Sequence, residues 1–578
     1  MQSTHLRRTL FLAILLAYAL YAGIYIFKTS FVAGGERYFV LFDDAMISMR
    51  YARNLANGAG LVWNPGGERI EGYTNPLWVV FMALFHLFPI PASKMSLSIQ
   101  ASGAIFLIAN LFFVQKIAER LSGSWMVGLL AVILTAFYLP LNNWGLQGME
   151  VSILTLITGV AVWLSLQVLR TRRFSPWLFV LLGISTLIRI DMTVPYLVIL
   201  VFLLIAVPEQ RKPNLVWGLG LLAAFLLFQT LFRLWYYGDL LPNTYYLKMT
   251  GSPLLLRIGR GLFVLGQFIL SFNWILFGLP LAILIFRRDG AILLPFLLIL
   301  GQLAYSVYVG GDAWEHRGGS NRYISIGMPA FFILFVYTAD LIRKAIRSKF
   351  NSHFVIARSG LRDEAISRTA RTRLLRQRTP RNDTIKRISG SKFQGERSIA
   401  NLLTQVGFAA FLLASMINFN FEENFRSLER WVLLRQPTFI EGNKEYVQIS
   451  LALEKITTTD AKIAVVSAGA IPYFTDRHAI DLLGKSDAKI AHLNARRTGG
   501  LFNLGNFRPG HMKWDYDYSI GELQPDVVVQ LWGNTEEAQG YLDKYYVVGG
   551  AEGDIPFNLR RGSENVLWER VQLVSEES

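Results

Sequence analysis

Apolar residues in this chain come in long unbroken runs, not at the spacing of an amphipathic surface helix. The first run covers residues 9–27. Others fall at about 96–115, 125–140, 150–169, 176–190, 193–207, 214–236, 257–286, 290–309, 324–341 and 399–418. A helix needs roughly 20 apolar residues to cross the hydrocarbon core. Eleven spans are therefore predicted, although 125–140, 176–190 and 193–207 fall short of that length. Residues 76–88 (PLWVVFMALFHLF) are apolar too, but the run is short and lacks flanking basic residues. It is expected to rest on the outer leaflet or to re-enter it, not to cross.

The polar breaks between runs alternate in character. His5, Arg7 and Arg8 precede the first run, and no small-residue cleavage site follows it. This predicts an uncleaved span with its N-terminus in the cytoplasm. Eleven spans then place Lys116/Arg120, Arg170/Arg172/Arg173, Arg211/Lys212, Arg287/Arg288 and the 341–398 segment on the cytoplasmic side, as the positive-inside rule requires. Segments 28–95, 141–149, a turn near 191, 237–256, 310–323 and everything after about 419 fall outside.

Composition agrees with this reading. The chain has 578 residues, 52% of them hydrophobic and 17% charged, which is the profile of a polytopic membrane protein. Its net charge is +16, yet 341–398 alone holds 16 Lys/Arg against 4 Asp/Glu, a local excess of +12. That concentration points to a cytoplasmic loop lying against anionic lipid, not to nucleic acid. The Asn-Asp-Thr sequon at 382–384 falls in this loop and is expected to be fortuitous. There is no cysteine, which excludes thiolate metal sites, thiol nucleophiles and disulfides. The seven histidines show no metal-binding spacing; clustered acids are compatible with a divalent metal, but nothing calls for one, and no cofactor is implied.

Residues 1–418 read as the membrane domain and 419–578 as a soluble α/β domain of alternating short strands and helices. Strands are predicted at 462–467, 526–532, 545–548 and 566–574, and helices at 444–457 and 535–544.

The outward segments carry polar groups that plain connectors would not need. The first has Asp43, Asp44, Arg50, Tyr51, Glu71, Tyr73 and Asn75; the second ends at Glu150. Arg189 and Asp191 sit at a membrane-edge turn, where charge is costly and marks function or a mutual ion pair. Asn243, Tyr245 and Lys248 follow, then Asp312 and Arg322. Such a set suits transfer from a lipid-linked phosphosugar. Lys248, Arg189 and Arg322 are candidate phosphate ligands. A carboxylate at the water edge can take the proton of an acceptor hydroxyl. Asp43 and Asp44 are both candidates for that base, but neighbouring residues on a helix or strand point apart, so only one is expected to act. Asp44 is the preferred one.

The run DDAMISMRYARNLANGAGLVWNPGGERIEGYTNPLW (43–78) resembles the first extracytoplasmic loop of the GT-C membrane glycosyltransferases. It looks closest to the mycobacterial terminal arabinofuranosyltransferase group. GLQGME at 145–150 is similar to that group's TGLET loop, and PNTYYLK at 242–248 to its PNTFYAK. VGGDAW with the following NRY (309–323) resembles its GGD loop, and GHMK at 510–513 its GHEK element, which implies His511 and Lys513 as substrate-binding residues. The resemblance implies a GT-C fold with an extracytoplasmic active site in a bacterial cytoplasmic membrane. It further implies a decaprenyl- or undecaprenyl-phospho-D-arabinofuranose donor, a glycan or glycoprotein acceptor, and acidic site residues at Asp43/Asp44 and Glu150. The chain departs from the group at Arg189-Ile-Asp191, where relatives have Arg-Pro-Glu, at Met512 of GHMK, and in its long basic loop. Two other classes compete: a flippase of lipid-linked sugar, and a surface-assembly protein that merely binds glycan. No internal repeat of the kind transporters show is evident, and the polar groups cluster on one side, which favours the enzyme.

Overall fold

The computed structural model describes residues 2–287, 289–315, 321–373, 402–422, 424–496 and 504–574. Among them, eight helices are long and apolar enough to cross a membrane: His5–Lys28, Ala92–Ser122, Val151–Thr171, Pro208–Tyr237, Leu254–Ser271, Gly290–Val309, Arg322–Ser348 and Leu402–Phe419. The chain is a multi-pass helical membrane protein.

The expected eleven uniform spans resolve into these eight and several shorter pieces. The 125–140 run is a helix, Trp125–Ala136, that breaks and turns by 58° into Leu139–Leu146. Pro140 stands at the start of the second piece, where its missing N–H costs nothing and its ring prevents a continuous helix. The 257–286 run is likewise interrupted: Leu254–Ser271 ends at Asn273, whose φ of 69° is incompatible with a right-handed helix. Pro176–Ile188 and Thr193–Ala206 are helices of 13 and 14 residues, each short of a full crossing, and the turn between them carries Arg189 and Asp191. Pro76–His86 is an 11-residue apolar helix, again too short to span. The basic segment, expected as a loop, instead continues the preceding helix without a break to Arg373, since no proline interrupts it. Its remainder, with the 382–384 sequon, lies outside the described residues.

The first polar segment opens with a hairpin, Phe31–Ala33 against Glu36–Tyr38, turned by Gly34 and Gly35 at positive φ. Helix Asp43–Ala56 follows. The C-terminal mixed α/β domain sits on this segment. Its sheet has six strands in the order His478–Asp481, Lys462–Val465, Val527–Val528, Phe557–Arg560, Tyr546–Gly550, Gln572–Leu573. The first three are parallel and the rest antiparallel. Alternation along Lys462–Val465 divides the burial: Ile463 and Val465 face the core shared with the membrane helices, and Ala464 faces a separate cluster around Trp514 and Tyr516. Strands 478–481 and 557–560 were missing from the sequence reading, and the predicted 566–574 strand shrinks to two residues. The helices came close to expectation, as Ile440–Ile456 and Glu536–Tyr545.

Candidate active site

Helix Asp43–Ala56 begins with both acids in its first turn, where the helix dipole favours negative charge. Successive residues project about 100° apart around a helix, so the two carboxylates diverge. Asp43 Oδ1 accepts the backbone N–H of Ala470 at 2.8 Å, tying the first loop to the C-terminal domain. Burial pushes its carboxyl up to about 6, against the pull of Lys485 and of that amide. Asp44 turns into a cavity of about 460 Å³. Its Oδ2 receives Arg322 Nη2 at 3.1 Å, and its Oδ1 is ion-paired to Lys485. Burial alone would raise its carboxyl; Lys485, Arg322 and Lys248 together hold it well below the usual carboxylate range.

The cavity lies where the first loop, the 189–194 turn, the 241–249 segment, residues 309–314 and the start of the helix at Arg322 meet the C-terminal domain. Ile47, Val194, Leu226 and Val309 give it an apolar wall, and Asp44, Lys248, Asp312, Arg322, Lys485 and His511 give it a charged and polar end. Arg322 also meets Asp312 through Nε at 2.7 Å and Nη2 at 3.2 Å, and its guanidinium lies 4.9 Å from the Trp144 ring centroid. Burial acts on Asp312 as well, but Arg322 overrides it and keeps the carboxyl low. Lys248 makes no hydrogen bond or ion pair among the described residues. Burial and then Arg322 lower its ammonium to about 8, Asp44 opposing. His511 packs edge-on to Trp314 at 5.5 Å and is pushed down to about 3 by burial, with Lys485 adding to the effect. It is neutral at ordinary pH.

Arg189, expected as a phosphate ligand, lines the cavity with three of its five N–H donors engaged. Nη1 reaches Glu150 at 2.6 Å, and Nε and Nη2 take the two oxygens of Asp191 at 2.9 and 3.1 Å. Glu150 is fully buried and its second oxygen accepts Asn75 Nδ2 at 2.9 Å, so it supports the wall without lining it. Asn75, Tyr73, Asp191 and Tyr245 line the cavity, and Tyr73 shares a hydrogen bond with Tyr237 at 2.8 Å.

Five other candidates lie outside the lining and hydrogen-bond to the scaffold. Arg50, fully buried, donates to the carbonyls of Trp63, Pro472 and Arg477 and to Asn64. The Tyr51 hydroxyl donates to Ile70 O at 2.7 Å and accepts Gly72 N at 3.0 Å. Glu71 pairs with buried Arg233. Lys513 donates to Ala491 O at 2.6 Å and Tyr246 O at 3.0 Å. Asn243 donates to the carbonyls of Gly484, Lys485 and Asp487 at 3.0, 2.9 and 3.2 Å.

That last cluster bears on the residue that the sequence reading missed. Lys485 follows strand His478–Asp481 in Asp481-Leu-Leu-Gly484-Lys485-Ser486, and a glycine–lysine pair closing a strand was its only signal. Asp481 fixes the turn by accepting the N–H groups of Leu483, Gly484 and Ser486 at 3.0, 3.1 and 2.7 Å. The C-terminal domain thus contributes charge to the cavity.

Residues 436–566 match the family described as a domain of unknown function, DUF8728. The match brings Lys485 within that domain. No curated protein matches the sequence. Solved structures that resemble it include ArnT from Cupriavidus metallidurans bound to undecaprenyl phosphate, at 12% identity and TM-score 0.47, and its apo state, at 13% and 0.47. The first covers 81% of this chain and 85% of its own, the second 82% and 85%. Among the described residues, no group of three His, Asp or Glu side chains could hold a metal ion.

Proposed function

We propose that this chain is a membrane glycosyltransferase that takes a sugar from a polyprenyl-phosphate carrier. One observation carries the reading: Asp44, in the lining of a cavity with an apolar wall, stands beside Arg322 and beside Lys248, which has no hydrogen-bond or ion-pair partner among the described residues. An apolar wall suits the polyprenyl chain, and the cationic end suits its phosphate. In the reaction the acceptor oxygen bonds to the anomeric carbon as the bond from that carbon to the phosphate oxygen breaks. The leaving phosphate goes from one negative charge to two, and cations already in place stabilise the charge as it develops. Asp44 takes the proton from the acceptor hydroxyl. Asp43, committed to the Ala470 amide, is the positioning member of the pair.

The finer assignment rests on the first-loop resemblance: a D-arabinofuranosyl donor, an extracytoplasmic glycan or glycoprotein acceptor, and a site facing away from the cytoplasm. The deciding experiment offers purified full-length protein several polyprenyl-phosphate sugars and measures which is consumed. Consumption of the arabinofuranosyl donor alone supports the specific reading. Turnover of a different sugar replaces the sugar but keeps the class, and turnover of none removes the class.

A further inference from the structure

Among the described residues, Lys485 is the one charged group the C-terminal domain sends to Asp44, and its backbone is held far more firmly than a surface ion pair would require. Asp481 takes three backbone N–H groups of the turn, and Asn243 of the membrane domain donates to three of its carbonyls. Gly484 sits at φ 80°, with Ile490 and Ala491 so close that a Cβ would come within 2.7–2.9 Å of them. From the first loop, Gly72 packs so tightly that a Cβ there would lie 2.3 Å from Ser486 Oγ and 3.0 Å from the Lys485 carbonyl. Three segments therefore fix the loop, and the Lys485 side chain extends into the cavity with 12% of its surface exposed.

The local charge count is informative. At the Asp44 end, Lys248, Arg322 and Lys485 face Asp44 and Asp312, while Arg189, also in the lining, is shared by two carboxylates, Glu150 and Asp191. The excess of one cation at that end is offset by the second carboxylate on Arg189, so a phosphodiester must take its cation from an existing partner. Asp44 is over-supplied: both of its oxygens are held by cations, which makes it a poor proton acceptor.

We propose that Lys485 is a phosphate ligand of the lipid-linked donor, so that the domain of unknown function supplies one side of the donor site. When the phosphate enters, it competes with Asp44 for Lys485. Transfer of the ammonium from carboxylate to phosphate ties down the donor. It also relieves Asp44 of one cation, so that Asp44 becomes more basic only when a donor is present. The inference rests on the proposed donor class and adds to it a ligand, a domain role and an order of events.

The test compares binding of undecaprenyl phosphate with that of undecaprenol, its uncharged alcohol, by the purified full-length protein. Wild type, Lys485→Gln and Lys485→Arg are compared, with thermal unfolding of each recorded. Wild type is expected to prefer the phosphate by 100-fold or more. Lys485→Gln should lose 10- to 100-fold of phosphate affinity and keep its alcohol affinity; Lys485→Arg should keep most of both. A purely structural lysine would lower the unfolding temperature of the Gln variant and leave the preference intact, and that result overturns the inference alone. A wild type that binds phosphate and alcohol equally overturns the donor reading and this inference together.

Discussion

Asp43 and Asp44 are adjacent in the chain, but their carboxylates serve different partners: Asp43 Oδ1 takes the Ala470 amide at 2.8 Å, and Asp44 Oδ2 takes Arg322 at 3.1 Å. Asp44→Asn keeps the shape and removes the charge. Transfer should fall by about 10²–10⁴-fold, the range for loss of a general base. Asp43→Asn retains an oxygen that can accept the Ala470 N–H, so activity should stay near wild type. The same activity loss in both variants, measured at equal folded fraction, would contradict the division of roles.

The two acids also differ in how they couple to pH. Because the Asp43 carboxyl is raised to about 6 in the folded protein, the folded state binds that proton more tightly than the unfolded chain does. Its contribution to stability is therefore fully present below the ordinary aspartate pKa and is lost as pH rises through about 6. Asp43→Asn should flatten the unfolding-temperature profile between pH 4 and 7. An unchanged slope would show that Asp43 is not the group responsible.

Lys248 sets a limit at the alkaline end. Its ammonium is lowered to about 8, and a bound phosphodiester would raise it again. Donor affinity should therefore hold below pH 8 and weaken above it, approaching tenfold per unit. Lys513 shares that window, since burial lowers it to about 8 as well, but it lies outside the lining with its ammonium on the Tyr246 and Ala491 carbonyls. Lys485 is held up by Asp44 in spite of burial, Asp44 and Asp312 are held low, and His511 is neutral. Asp43 and Glu315, near 6 and 7, titrate below it. Lys248→Arg, which keeps its charge, should remove the alkaline loss in KM for the donor; a loss that persists would assign it elsewhere.

Hydropathy made the helical membrane class legible, because burial in lipid demands long apolar runs whatever the tertiary packing. It could not reveal that 125–140 and 257–286 break, since a proline at the start of a new helix and an asparagine at positive φ leave the apolar pattern untouched. In the site, Asp44, Lys248, Asp312 and Arg322 were legible as polar groups in otherwise apolar surroundings and His511 only through the GHMK resemblance, and the structure brings them together. Arg50, Tyr51, Glu71 and Asn243 gave the same signal for a different reason. A buried junction between two domains also needs satisfied polar groups, and sequence alone does not separate a scaffold arginine from a ligand arginine. Lys485 escaped notice because it lies 441 positions from its partner, in a domain where lysines are ordinary.

The Glu150–Arg189–Asp191 cluster provides a stability test independent of catalysis. Glu150 is fully buried, and Arg189 is its charged partner at 2.6 Å. Arg189→Met leaves two carboxylates without a cation and should destabilise the protein by about 3–5 kcal/mol, as seen when one partner of a buried pair is lost. Adding Glu150→Gln to that variant should recover part of the loss, because the buried charge goes with it. Thermal unfolding in detergent reads both, and additive losses would mean that the two residues are not coupled.

Gly72 offers a way to disturb the Lys485 loop without touching a charged group. A methyl group there would meet Ser486 Oγ at 2.3 Å, Tyr51 Oη at 2.7 Å and the Lys485 carbonyl at 3.0 Å. The two side-chain atoms can yield by rotating, but the carbonyl cannot move without shifting the backbone that Asp481 and Asn243 hold. Gly72→Ala should therefore displace Lys485 and weaken donor phosphate binding by about tenfold, the factor that corresponds to a misplaced interaction of roughly 1.4 kcal/mol. Combining it with Ser486→Ala removes the closest clash but leaves the carbonyl contact, so recovery should be partial. Wild-type binding in Gly72→Ala would mean that the loop adjusts freely and that the position of Lys485 is not set by its neighbours.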